Sequence, residues 1–225
     1  MTPAAAHACS SLSRRTVTMP IDPIVRAVDD DRRFLEALAR NLRVSGLAVV
    51  TYPSARAFLD DFDPGQPGCL LTDLRMPDMD GLKLQRTMRE RRMYLPILFV
   101  TGHGDVAAAV DALKAGAFDF LEKPIREKRL LDSVAQALEQ DARNRELYRE
   151  KAVVTERYAC LSPRERQVLQ LVVSDLSNKE VARQLRISPR TVEHHRDRVM
   201  LKMQAHSLTE LITMAVLCGA HELHL

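Results

Sequence analysis

No stretch of this chain approaches the roughly 18 consecutive apolar residues that a membrane-spanning helix requires. Its first 20 residues hold Ala-rich and Ser-rich patches and Arg14-Arg15, but no apolar run long enough for a signal peptide. Residues 1–21 are therefore expected to be a disordered tail, with Met19 competing with Met1 as the start of translation. Cysteine is sparse: Cys9, Cys69, Cys160 and Cys218 lie far apart and form no CxxC pair. That argues against a disulfide framework or a zinc site and makes a reducing cytoplasm the expected compartment. Nor is there a strong charge of one sign. Residues 22–125 hold 14 basic and 16 acidic side chains, residues 126–159 hold 8 and 7, and residues 160–225 hold 9 and 7. Any case for nucleic-acid binding has to rest on motif rather than on net charge.

What is present is an ordinary core-forming composition, 46% hydrophobic and 28% charged over 225 residues, which suits one large or two small domains. In the first half, four short apolar runs each end in polar groups. Val25–Val28 ends at Asp29-Asp30, Cys69–Thr72 at Asp73, Ile97–Val100 at Thr101-Gly102, and Phe118–Leu121 at Glu122-Lys123-Pro124. These runs have strand length and composition, and segments of helical periodicity separate them, the pattern of βαβ units around a buried parallel sheet. A further strand is expected over Ala48–Tyr52, with helices near Arg32–Ser45, Ser54–Phe62, Gly81–Arg91, Val106–Ala115 and Arg126–Leu138. In open α/β sheets ligands sit at the carboxyl ends of the strands. Asp29, Asp30, Asp73, Thr101 and Lys123 would thus share one crevice suited to Mg²⁺ and phosphate.

Phosphoryl transfer asks a protein mainly for positioning and charge neutralisation. Asp73 could attack a phosphoryl group in line and become an aspartyl phosphate. Asp29, Asp30, Asp73 and a backbone carbonyl just after Asp73 offer the hard oxygen donors that Mg²⁺ prefers. Lys123 supplies a mobile point charge and Thr101 a hydroxyl. Taken singly, an Asp pair after a strand reads as a helix cap and Lys-Pro as a turn. It is the coincidence of four strand ends that points to a site.

The segments Val28–Asp31, Thr72–Gly81, Val100–Val106 and Ala112–Pro124 closely resemble the receiver domains of bacterial two-component response regulators. The Thr101-Gly102-His103-Gly104-Asp105-Val106 stretch is similar to the FixJ-like group. Spacings of 43 residues from Asp30 to Asp73, 28 on to Thr101 and 22 more to Lys123 agree with that family. The resemblance implies Asp73 as phosphoacceptor, Asp29, Asp30 and the Arg75 carbonyl as Mg²⁺ ligands with Asp73, Thr101 and Phe120 as a coupled switch pair, Lys123 as the phosphoryl contact, and a cis Lys123-Pro124 bond. One departure is Asp31, where Glu is frequent. A phosphohydrolase with an aspartyl nucleophile would want a second Asp two residues after the first; Arg75 stands there. No enzymatic turnover is expected, only slow self-dephosphorylation.

From Glu139 to Tyr158 the chain is charged and lacks Gly and Pro, as a solvated helical linker would; Leu147, Val154 and Leu161 form only a fragment of a heptad seam. Thereafter Ser162, Pro163 and Glu165 form a capping box with a favourable first residue, and Ser188 with Pro189 opens a longer helix. Helix, short turn and longer helix is the arrangement that places a recognition helix in the major groove. Leu161–Arg166, Leu176–Ala182 and Ile187–Arg196 resemble the LuxR-type helix-turn-helix. That resemblance implies a four-helix bundle whose third helix reads DNA and whose last helps to dimerise. Glu193, His194 and Asp197 are expected near base edges, although the family often carries Lys where Asp197 stands. Arg190, Arg196, Arg198, Lys202 and Lys179 are expected at phosphates, with Thr191 also on the DNA side.

The domains expected are a disordered tail (1–21), a five-stranded parallel, doubly wound, flavodoxin-like receiver (22–138), a helical linker (139–159) and an all-α four-helix helix-turn-helix domain (160–225). The function expected is that of a transcriptional response regulator, an activator, switched by a histidine kinase. Its further partners would be promoter DNA, RNA polymerase and a second copy on phosphorylation. The alternative is an interaction or phosphate-sink module that does not depend on DNA.

Overall fold

The computed structural model describes residues 21–102 and 114–221. The N-terminal tail, most of the helix expected over Val106–Ala115 and His103 to Val106 of the motif lie outside the described residues. The described chain forms two compact units that divide between Arg145 and Glu146.

In the first unit five strands pair in the order β2-β1-β3-β4-β5, all in parallel. They are β1 (Ile24–Val28), β2 (Ala48–Tyr52), β3 (Gly68–Asp73), β4 (Ile97–Thr101) and β5 (Asp119–Glu122). The order reverses between β1 and β3, the topological switch point at which such sheets bind ligands. β3 and β4 are buried throughout because both faces of the sheet are covered. On one face Val25, Ala27, Leu71, Leu98 and Val100 pack with helix α1 (Arg32–Val44) and with Leu130, Val134 and Ala137 of helix α4 (Glu127–Ala159). On the other, Leu70, Phe99 and Ile97 meet Phe58 of α2 (Ala55–Asp61) and Leu84 and Met88 of α3 (Gly81–Glu90).

Local chemistry explains the helix starts. Asp31 caps α1 by accepting hydrogen bonds from the Arg33 and Phe34 amides, Ser54 caps α2, and Asp80 caps α3. The third acid of the Asp29–Asp31 run thus belongs to the helix and not to the crevice.

The stretch expected as a helical linker is helical and continues the preceding helix. Residues 127–159 are one helix of 33 residues, with no break at Leu138. Nor are residues 139–145 merely solvated: Asp141 is buried and bonded to the N-terminal end of β3. Further along α4, Val154 is buried in the second unit whereas Leu147 is exposed, so the heptad fragment is not one seam within this chain.

The second unit adds α5 (Pro163–Val173), α6 (Asn178–Leu185), α7 (Pro189–Met203) and α8 (Leu208–Leu217). Ser162 with Glu165 and Ser177 with Glu180 make full capping boxes, and Ser188 with Pro189 at the first turn starts α7. Val168, Leu169, Val181, Val192, Val199, Met203 and Leu211 form the core.

Candidate functional site

The carboxyl ends of β1, β3 and β5 bring Asp29, Asp73 and Lys123 together. The Lys123 Nζ donates to Asp29 Oδ2 at 2.7 Å and to Asp73 Oδ1 at 3.1 Å. The remaining oxygens are held by backbone amides: Asp29 Oδ1 accepts from Asp31 at 2.8 Å, and Asp73 Oδ2 from Arg75 at 2.8 Å. Thr101, buried at the end of β4, has its carbonyl tied to the Lys123 amide at 2.7 Å. The Lys123-Pro124 peptide is cis. Asp30 is exposed and, among the described residues, makes no hydrogen bond or ion pair. Phe120 is half-buried against the face that carries Phe99.

Burial pushes the Asp73 carboxyl above its ordinary range, even though Lys123 and the Arg75 amide pull the other way. Burial alone would lower the Lys123 ammonium, but Asp29 and Asp73 together outweigh it and hold Lys123 above its usual value. Two carboxylates sharing one ammonium leave the crevice short of positive charge. That deficit, with hard oxygen donors, fits a divalent cation such as Mg²⁺, which takes one or two carboxylates and keeps several waters. Among the described residues no three His, Cys, Asp or Glu side chains are gathered closely enough to cage a metal by themselves.

In the second unit, α7 turns Val192, Val199 and Met203 inward and leaves Arg190, Glu193, His194, Asp197 and Arg198 exposed. Lys179 of α6 is exposed as well, and Thr191 is half-buried with its hydroxyl 2.8 Å from that of Ser188. Two expected phosphate contacts are placed differently. The Lys202 ammonium is turned into the unit, bonded to Glu165 Oε2 at 2.6 Å and to the Cys160 carbonyl at 3.3 Å. Glu165 is buried, so an ammonium there is more valuable to it than to a surface phosphate. Arg196 donates to Asn178 Oδ1 at 2.7 Å, which ties α7 to α6. His194 is exposed and His195 half-buried, as neighbours on a helix that face different ways.

Sequence reasoning missed Phe34, whose ring centre lies 4.0 Å from the Lys123 Nζ. It also missed Asp141 and Arg145, which hold β3 from its other end. Nothing local marks a phenylalanine in the first turn of α1 as a partner for a distant ammonium, and charges in a charged helix read as solvated.

A doubly wound sheet of this order with an acid-and-lysine crevice at its carboxyl edge, followed by a helix-turn-helix unit, defines a DNA-binding response regulator. The model described as the response regulator receiver domain matches residues 25–135, and that described as bacterial regulatory proteins, luxR family, matches residues 159–215. The transcriptional regulatory protein FixJ of Azorhizobium caulinodans is 46% identical over 201 residues, spanning 89% of this chain and 95% of that protein. The response regulator protein TodT of Pseudomonas putida is 42% identical over 189 residues, 84% of this chain and 83% of that one. A solved structure of the response regulator StyR superposes with a TM-score of 0.75 at 39% identity, covering 87% of this chain and 98% of that one.

This chain belongs to the FixJ-like response regulators of two-component systems, which join a receiver to a LuxR-type DNA-binding domain. The receiver implies a histidine kinase as partner and the LuxR-type domain implies DNA. Receiver domains generally bind Mg²⁺. No helix among the described residues is long and apolar enough to cross a membrane.

Proposed function

We propose that Asp73 is the phosphoacceptor through which a histidine kinase controls DNA binding by this chain. The observation that carries the reading is the buried Asp73 carboxylate at the end of the central strand, 3.1 Å from the Lys123 ammonium. An Asp73 oxygen attacks the phosphorus of the kinase phosphohistidine, the P–N bond breaks, and the imidazole nitrogen leaves with the bonding electron pair. Lys123 releases Asp73 and takes a phosphoryl oxygen, while Thr101 offers its hydroxyl to another. Asp29, Asp30, Asp73 and the Arg75 carbonyl would hold Mg²⁺. When bound, the ion neutralises charge on the phosphoryl oxygens. The same residues serve slow hydrolysis of the aspartyl phosphate, and no turnover of a separate substrate is expected.

Thr101 and Phe120 then act as the switch pair that shifts the receiver towards a dimerising state. A dimer would present two copies of α7 to paired half-sites. Lys179, Arg190 and Arg198 would engage phosphates, with Thr191, Glu193, His194 and Asp197 nearer the bases. Contact with RNA polymerase at the promoter would make the chain an activator.

The experiment is a gel shift on promoter DNA with and without a small phosphodonor. Wild type should bind more tightly after phosphorylation, and Asp73→Asn should not respond. Equal binding by both proteins under both conditions would overturn the reading.

A further inference from the structure

Phe34 lies in the first turn of α1, and its amide donates to the Asp31 carboxylate at 3.2 Å. The cap that starts the helix therefore also fixes where this ring stands. An ammonium has three donors, and Lys123 directs bonds to Asp29 at 2.7 Å and Asp73 at 3.1 Å. The ring, centred 4.0 Å from Nζ, offers its negative face to the positive charge that remains. Phe34 also packs against the core cluster of α1 and α4, so the ring is supported from behind.

We propose that Phe34 is a positioning residue for phosphoryl transfer. Its ring holds the Lys123 ammonium beside Asp29, so that Lys123 exchanges its bond to Asp73 for one to a phosphoryl oxygen without withdrawing into water. The inference rests on Asp73 as acceptor and Lys123 as phosphoryl contact. With phosphoramidate as donor, an Asp73 oxygen bonds to phosphorus, the P–N bond breaks, and the protonated nitrogen leaves as ammonia with the electron pair. Phe34 takes no part in the bonds exchanged; it fixes the charge that receives the phosphoryl oxygen.

The test replaces Phe34 in the full chain with mono-, di- and trifluorophenylalanine, which keep its shape while weakening the ring's negative face step by step. The rate of Asp73 phosphorylation by phosphoramidate should fall stepwise, by roughly three- to ten-fold across the series, with the melting temperature unchanged. Phe34→Leu should match the trifluorinated protein, and Phe34→Trp should retain most of the rate. A flat rate across the fluorinated series would overturn the inference, including the case in which Phe34→Leu is slow and also less stable, because packing alone would then explain it. Asp73→Asn separates the two levels. If it abolishes labelling while the series stays flat, only the role of Phe34 fails; if it labels like wild type, Asp73 as acceptor fails.

Discussion

Asp141 accepts a hydrogen bond from the Gly68 amide at 2.8 Å, joining two residues that are 73 positions apart. Gly68 opens β3, the strand that ends in Asp73. A Cβ at Gly68 would fall 1.9 Å from the Ile24 carbonyl oxygen, and its φ of +149° suits glycine alone. Arg145 bonds the same carboxylate at 2.7 Å and donates to the carbonyls of Pro64, Gly65 and Gln66. Buried Arg26 donates to the Gln66 carbonyl as well. The long helix and the strand that ends in Asp73 are thus fastened at the end of the sheet opposite the crevice.

Removing that fastening should be costly. Asp141→Ala leaves the Gly68 amide and Arg145 without their shared acceptor, and breaking a buried pair in this way costs about 3 kcal/mol. Arg145→Ala should cost less, because Asp141 keeps the Gly68 amide. Urea unfolding should show both losses, and the Gly68 amide should exchange its hydrogen faster in Asp141→Ala. Unchanged midpoints would mean that the network does not hold the strand.

Gly81 sets a limit on the other side of Asp73. A Cβ there would meet the Asp73 carbonyl oxygen at 2.5 Å and the Phe99 ring at 2.7 Å. Gly81→Ala has to move α3 away from β3 or shift Asp73, and overpacking of this kind costs about 1–3 kcal/mol. The expected result is a lower melting temperature together with slower labelling of Asp73 by a small phosphodonor. A protein of wild-type stability and labelling rate would show that α3 yields freely.

How much of this could be read in advance varies with the kind of signal. The strands of the first unit are short apolar runs bounded by turns, and the N-caps are Ser or Asp at helix starts, so both are written locally. The convergence of Asp29, Asp73 and Lys123 was legible because a parallel sheet places all its strand ends on one edge. Asp141 and Lys202 were not. Each is a charge in a charged helix, and whether it is solvated depends on a partner far away in sequence: the Gly68 amide for one, buried Glu165 for the other. Hydrophobic periodicity reports which face of a helix is apolar, but not which charge on it has been claimed by the fold. The helix expected near Arg126–Leu138 runs on to Ala159 for a related reason. No residue there stops a helix, and the change from apolar to charged composition does not mark its end.

Lys202 and the exposed cations should separate in salt. Removing a side chain that neutralises one DNA phosphate reduces the slope of log affinity against log salt by about 1. Arg190→Ala and Lys179→Ala should each do so and weaken binding across DNA sequences alike. Lys202→Met should leave the slope unchanged and lower the stability of the DNA-binding unit. A shallower slope for Lys202→Met would return it to the DNA surface.

The Glu165–Lys202 pair also predicts where the second unit fails in acid. Burial alone would raise the Glu165 carboxyl, but the hydrogen bonds from Lys202 and from Ser162 together outweigh it and hold Glu165 below the ordinary glutamate value. A carboxyl depressed in the folded state binds its proton more readily when unfolded, so stability rises with pH across that interval. The contribution of Glu165 is complete above the ordinary glutamate value and is lost as the pH falls through its lower folded-state value. Glu165→Gln keeps a side chain able to complete the capping box but cannot hold the Lys202 ammonium by charge. It should cost about 2 kcal/mol at neutral pH, less than a fully buried pair would, because the Lys202 side chain is 30% exposed. Stability of the unit, followed by urea unfolding between pH 3.5 and 7, should fall less steeply on the acid side in Glu165→Gln than in wild type, and the two curves should approach one another at the lowest pH. Curves that stay parallel throughout would show that Glu165 is not the carboxylate through which acid loosens the anchor of α7.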